Sequence, residues 1–227
     1  MIRIGIVAAA VIAAAIESLT PAYASPPTYN WSGAYAGLVG SYTWSHSQES
    51  YDNPTYAAAA PIDPSNASAP GIGVELGVNH QGANGFVVGL EGGFTYANLY
   101  SIGPDRLGDL HHGTPGVYHV TSSTDWAADL RARFGFAMDN LLVFGTAGVS
   151  TSHVSVSSTD GPVTDSAMLT GFVFGGGIEK ALTQKVSVKL EYLHTVIGNH
   201  TWFSGQTYSA TSSGSADSVR LGLNIHF

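Results

Sequence analysis

Nine charged residues recur at alternate positions in stretches otherwise built from glycine, hydroxyl and aliphatic side chains: Glu75, Glu91, Asp129, Arg131, Arg133, Glu179, Lys189, Glu191 and Arg220. In an extended chain, residues two apart share a face, so Asp129, Arg131 and Arg133 point one way, as do Lys189 and Glu191. Five carboxylates against four cations is close to balance. A buried ion left without its partner costs on the order of 3 to 5 kcal/mol, so such a set suits a paired network filling an enclosed interior. The second candidate chemistry is imidazole. His111, His112 and His119 lie close together in sequence and could hold haem or a metal. No carboxylate at fixed spacing would orient those rings, which favours a solvated loop that merely contains them. The acids Glu49, Asp52, Asp63, Asp105, Asp109, Asp160 and Asp165 lack the regular ligand spacing of a calcium loop. Nucleophilic catalysis needs a nucleophile beside a base. The charged set offers carboxylates and guanidiniums, with only His226 besides, near the wrong end of the last segment, so no catalytic residue, metal or cofactor is expected.

The elements that carry these charges are strands. From Asp217 the chain alternates strictly, with Val219, Leu221, Leu223, Ile225 and Phe227 on one face and Ser218, Arg220, Gly222, Asn224 and His226 on the other. The same period of two runs through Gly71 to Asn79, Gly85 to Tyr96, Asp125 to Ala137 and Val186 to Ile197. Gly33 to Trp44 and Met168 to Glu179 are glycine-rich, and Leu141 to Ser152 can be read with either parity, so its inward and outward faces stay open. No three-to-four spacing of apolar positions appears, and glycine at this density disfavours helix.

Connections between these eight segments alternate in length. The long ones span 26 residues (Ser45 to Pro70), 28 (Ala97 to Thr124), 14 (His153 to Ser166) and 19 (Gly198 to Ala216). The short ones span 5 (His80 to Asn84), 3 (Met138 to Asn140) and 6 (Lys180 to Lys185). An up-and-down meander then has its long connections at one rim and its tight turns at the other.

Address and composition decide which face is inside. Residues 1–24 hold Arg3, an apolar run from Ile4 to Ile16 and the triplet Ala22-Tyr23-Ala24, and are expected to act as a cleaved signal peptide. The run is too short for a spanning helix, which needs about 20 apolar residues. Removing Arg3 and Glu17 with that leader leaves 7 basic and 15 acidic residues, a net charge of -8, which disfavours nucleic acid as a partner. Cysteine is absent. Only 11% of residues are charged, against about 25% in soluble domains, although no further long apolar run explains the deficit. A soluble barrel would need a charged exterior, whereas the polar faces here carry mostly Gly, Ser, Thr and Ala. The apolar faces therefore meet lipid and the ionic faces line a narrow lumen. In lipid every backbone group must be paired internally, so the sheet must close.

The expectation is an all-β fold: an eight-stranded antiparallel up-and-down transmembrane β-barrel over residues 33–227, preceded by a short periplasmic segment, 25–32. Its place is the outer membrane of a Gram-negative bacterium. Trp44, Tyr96 and Trp126 should form one aromatic girdle and Phe86, Phe136 and Phe227 the other. Small residues such as Gly73, Gly77, Gly89, Gly93 and Gly222 should face a lumen blocked by the ion pairs.

Several stretches together resemble the small porin-like outer-membrane β-barrel proteins of alphaproteobacteria: Asn30 to Gly37, Phe86 to Gly93, Arg131 to Gly135 with Phe144 to Gly148, Gly175 to Glu179, Glu191-Tyr192-Leu193 and the closing Phe227. That resemblance implies roles in envelope integrity and contact with host or environment through long extracellular loops. Some relatives of this kind are described as porins for small solutes and some as haem binders. The implied partners are outer-membrane lipid, the barrel-assembly machinery that reads Phe227 as an assembly signal, and a surface ligand for the loops.

Overall fold

Alternating side chains produce eight long strands, and in the computed structural model these are β1 (Gly33–Tyr51), β2 (Ser65–Gln81), β3 (Phe86–Pro104), β4 (His119–Met138), β5 (Leu141–Ser158), β6 (Val163–Ala181), β7 (Val186–Trp202) and β8 (Ala210–His226). The structure describes residues 29–55, 65–104, 119–159, 163–206 and 209–227. Each strand pairs antiparallel with the next, and β8 returns to β1 from Tyr35↔His226 to Tyr51↔Ala210, which closes the barrel.

The tight turns are built from local chemistry. In the β2–β3 turn Gly82 N donates to Phe86 O (2.8 Å), and Gly85 takes a φ of 82° that a side chain would resist. Asp139 adopts the left-handed conformation in the β4–β5 turn, which Asp tolerates better than branched residues. Thr183 Oγ1 accepts from both Lys185 N and Val186 N in the β6–β7 turn.

Facing follows parity. Leu38, Val74, Leu90, Phe134, Phe172 and Leu221 are exposed on the outer wall, while the nine charged residues are buried within. The open parity of β5 is settled: Leu142, Phe144 and Thr146 are buried inward, and Val143 and Val149 face out. Both faces of this strand carry apolar side chains near the short-turn rim, and that concealed its direction. Phe86 pairs with Phe136 at that rim, and Tyr96 with Trp126 on the far side of the apolar band, where Phe94 stacks on Trp126 at 5.7 Å.

The long connections are a correction. Stretches expected as loops, Ser45 to Pro70, Ala97 to Thr124, His153 to Ser166 and Gly198 to Ala216, are strand over half or more of their length, since pairing runs on to Ser47↔Ser65, Pro104↔His119, Ser158↔Val163 and Trp202↔Ala210. Three expected strand ends coincide with register shifts, between Tyr96 and Leu99, between Thr124 and Trp126, and between Ile197 and His200. On β4 and β7 the inserted residue reverses which parity faces inward, from Arg131 to Val120 and from Leu193 to Trp202, so counting in twos stops there while the ladder continues; β3 keeps Ala97 and Leu99 inward with Glu91.

Two seams open at that end. Among the described residues, β2 and β3 pair only from Ile72↔Tyr96 toward the short-turn rim, and β6 and β7 only from Gly171↔Ile197. The outer end is therefore two four-stranded leaves, β3 to β6 and β7-β8-β1-β2. Pro70, which lacks an N–H, sits where β2 has lost β3 as a partner, a position that suits an edge strand. Ala69, Ala97 and Leu99 fill one seam, and Trp202 with Val154 and Val156, flanked by Leu169, fills the other.

Candidate functional site

All nine charged residues converge in the middle of the lumen. Glu91 on β3 accepts from Arg131, from Arg133 Nη1 (3.2 Å) and from Lys189 Nζ (2.8 Å). Arg131 Nε lies 2.7 Å from Asp129 and its Nη1 2.8 Å from Glu191 on β7. Arg133 Nη2 reaches Glu179 on β6 at 2.7 Å, Lys189 reaches Glu75 on β2 at 2.7 Å, and Arg220 on β8 reaches Asp129 at 3.0 Å. Arg131, Arg133, Lys189 and four of the five carboxylates are at most 2% exposed. No ion stands alone, as the cost of an uncompensated buried charge requires.

Uncharged residues on the same parity complete the network, and these were not singled out from sequence. Tyr35 on β1 donates its hydroxyl to Glu91 (2.5 Å) and accepts from Arg133 (2.6 Å). Ser187 Oγ donates to Glu179 (2.5 Å), and Asn224 Nδ2 donates to its Oε1 (2.9 Å). His226 Nε2 lies 2.9 Å from Ser187 Oγ and 3.5 Å from Glu179. The Arg133 guanidinium sits 4.0 Å from the Phe144 ring centre, within cation–π range. With Tyr35 included, the network ties together every strand except β5.

The inward glycines receive these side chains. A Cβ at Gly77 would overlap the Tyr35 ring, one at Gly37 the Asn224 amide, and one at Gly89 the Asn79 amide. At Gly93 it would meet the Asp129 carboxylate at 3.0 Å. Glycine on the inner wall is thus the space that bulky polar groups from other strands occupy.

Below the network, the N-terminal segment enters the barrel mouth. Tyr29 and Trp31 are buried against Val87, Leu142, Phe144 and Ala181, and Trp31 N donates to Gln81 Oε1 (2.8 Å). Their rings flank His226 at 5.7 and 5.8 Å. Burial first, and then the Glu179 charge, push the Tyr29 phenol up to about 12. Tyr29 and Trp31 of the expected periplasmic segment are therefore part of the barrel's packing.

The remaining candidates are dispersed. His119 is exposed at the start of β4, its backbone N–H on Thr159 Oγ1, whereas His111 and His112 lie outside the described residues. Among the described residues no three metal-ligating groups cluster. Glu49 and Asp165 belong to strands rather than solvated loops: burial pushes the Glu49 carboxyl up, with the Ser47 hydroxyl acting against it, and Asp165 Oδ2 accepts from Phe203 N (3.0 Å). Asp52 accepts from Ser209 and Thr211, both at 2.8 Å. Pairing that persists above the bulges gives these acids backbone and hydroxyl partners that an open loop would not supply. Asp63, Asp105, Asp109 and Asp160 lie outside the described residues.

The model of the outer membrane protein beta-barrel domain matches residues 6–227. The chain belongs to that family. It is 28% identical over 225 residues to the 31 kDa outer-membrane immunogenic protein of Brucella melitensis, covering 93% of this chain and 90% of the relative. It is also 28% identical over 113 residues to the 22 kDa outer membrane protein of Rhizobium leguminosarum bv. viciae, covering 48% of this chain and 50% of that one. Among solved structures it is similar to the outer membrane protein OprG from Pseudomonas aeruginosa, with a TM-score of 0.50 at 12% identity, covering 89% of this chain and 100% of that chain; this likeness concerns fold alone. The protein is an outer-membrane β-barrel of a Gram-negative cell. By the asymmetry of such barrels, its short-turn rim is periplasmic and its two-leaved end extracellular.

Proposed function

We propose that the protein is a structural barrel whose lumen is closed to solutes, stabilising the envelope and meeting the surroundings through its outer strands and loops. One observation supports this above all: ion pairs and hydrogen bonds from seven strands meet in one cross-section, with Arg131, Lys189, Glu91 and Glu179 inaccessible to water. Eight strands enclose only enough space for side chains to fill. Tyr29 and Trp31 add a second obstruction below. The word immunogenic in the Brucella relative's name supports an exposed outer end. On this reading residues 1–24 direct export, Phe227 is the mark read during barrel assembly, and the standing partner is membrane lipid. Recordings from the refolded protein in planar bilayers should stay at baseline, and steady open events would defeat the closed-lumen reading.

A narrow channel for small solutes is the second reading. Among the described residues, both ends of the Asn79 amide, Glu75 Oε1 and Ser41 Oγ are buried without a hydrogen-bond partner, which calls for internal water. Isolated waters do not make a conducting file, and the same recordings separate the two cases. Haem capture by His111, His112 and His119 is tested by titrating haem: a Soret shift abolished by H111A/H112A would support it, and no shift would remove it.

A further inference from the structure

Seen from outside, the wall changes character at one height. On β8 the outward series passes from Ser213 and Ser215 through Asp217 to Val219 and Leu221, and on β5 from Ser155 through His153 to Val149. His46, His153 and His194 stand at this boundary on β1, β5 and β7, and all three are held in the same way. Nδ1 of His194 lies 2.7 Å from Asp217 Oδ1, Nδ1 of His153 lies 3.3 Å from Asp125 Oδ2, and Nδ1 of His46 contacts Asn66 Oδ1. Each acceptor belongs to the neighbouring strand. Aromatic rings brace two of them, Phe174 at 5.2 Å from His194 and Trp126 stacked near His153 at 6.3 Å.

An oxygen on Nδ1 keeps a proton there and leaves Nε2 as the working end of the ring. Among the described residues Nε2 of these three has no partner. Their height is that of lipid headgroups, where interfacial aromatics also sit. No lysine or arginine of the described residues faces out at this level: Arg131, Arg133, Lys189 and Arg220 are in the lumen, and Lys180 and Lys185 are at the periplasmic rim.

We propose that His46, His153 and His194 form an outward ring that grips the phosphates of outer-leaflet lipid, each protonated ring donating from Nε2 to a phosphate oxygen. Such charge-assisted bonds are stronger than neutral ones. The groups facing the rings allow it. His46 meets Asn66 and Ser215, with Asp217 on the diagonal; His153 meets Asp125, Trp126 and Met168; His194 meets Asp217, Tyr192 and Phe174. Two carboxylates hold the rings, and no cation competes with them. A proton on both ring nitrogens makes the bond charge-assisted, so the grip depends on pH.

The test uses the full chain refolded into phosphatidylcholine nanodiscs doped with chain-brominated phosphatidylglycerol, a lipid whose single charge is constant over the range used. Quenching of Trp44 and Trp126 reports which lipid stands beside the ring. Preference for brominated phosphatidylglycerol over brominated phosphatidylcholine should rise at least threefold from pH 8 to pH 5.5, and should stay flat in H46Q/H153Q/H194Q. A preference flat with pH in the unaltered protein, or rising equally in the triple variant, overturns the proposal. If the triple variant does not refold, H153Q read through Trp126 in a W44F background makes the same comparison, with the same two outcomes.

Discussion

Within the bilayer the barrel is ionic inside and greasy outside; beyond the bulges apolar clusters fill its seams and its outer wall is mostly polar. Arg131, Lys189, Glu91 and Glu179 occupy the lumen in the first region, whereas Val154, Val156, Trp202 and Leu99 are the buried groups in the second. One continuous sheet thus changes polarity along its length, because the solvent around it changes from acyl chains to water. The bulges at the Thr124/Trp126 and Ile197/His200 shifts are where β4 and β7 exchange their faces, whereas β3 keeps Ala97 and Leu99 on the same inner face as Glu91 across its own shift. Position in the medium, rather than membership of a strand, decides what a side chain must be.

The sharpest way to break this contrast is to remove a central ion. E91L leaves Arg131, Arg133 and Lys189 short of a carboxylate and should destabilise the refolded barrel by about 3 to 5 kcal/mol in urea titrations. A loss under 1 kcal/mol would mean the network contributes little. Next comes charge on the outer wall. L221R at the apolar band should cost about 2 to 4 kcal/mol, while S213R, on the same face of the same strand but in the polar region, should stay within about 0.5 kcal/mol. Equal costs at the two positions would erase the distinction. W202A opens the β6–β7 seam. It should cost about 2 kcal/mol, below the usual 3 to 5 for an enclosed aromatic because water can enter at the rim, and should raise amide exchange in Val163–Thr170 with little change in Gly171–Ala181.

The smallest effect concerns the periplasmic mouth. Tyr29 holds its phenolic proton more tightly when folded, so its contribution is fully present below pH 10 and is lost as pH rises toward about 12. Trp31 fluorescence should shift in that window, and Y29F should remove the shift.

Much of the lumen was legible in the residues because charge and alternation coincide: Glu91, Arg131, Lys189 and Arg220 could be placed on the inner wall by counting in twos. Tyr35 could not, since an aromatic beside glycines reads as membrane-facing until the notch at Gly77 is seen to receive its ring. Ser187 and Asn224 were on the right face but carried no charge to draw notice. The outer ends of the strands were hidden by two effects. Bulges break the count, and above them the outward face turns to Ser, Thr and Asn, the composition of a loop. The resemblance to outer-membrane barrels rested on short glycine-rich motifs, and the match over residues 6–227 places the chain in that family.

The unpaired seams have a mechanical consequence. Around the belt embedded in lipid, the circumference is fixed by uninterrupted backbone bonding and cannot stretch. Outside, among the described residues, an alanine-leucine patch, the Trp202 cluster and the Phe203–Asp165 hydrogen bond join the two leaves, so that end can gape or shear by repacking a few side chains. A rigid cylinder carries a compliant pair of jaws.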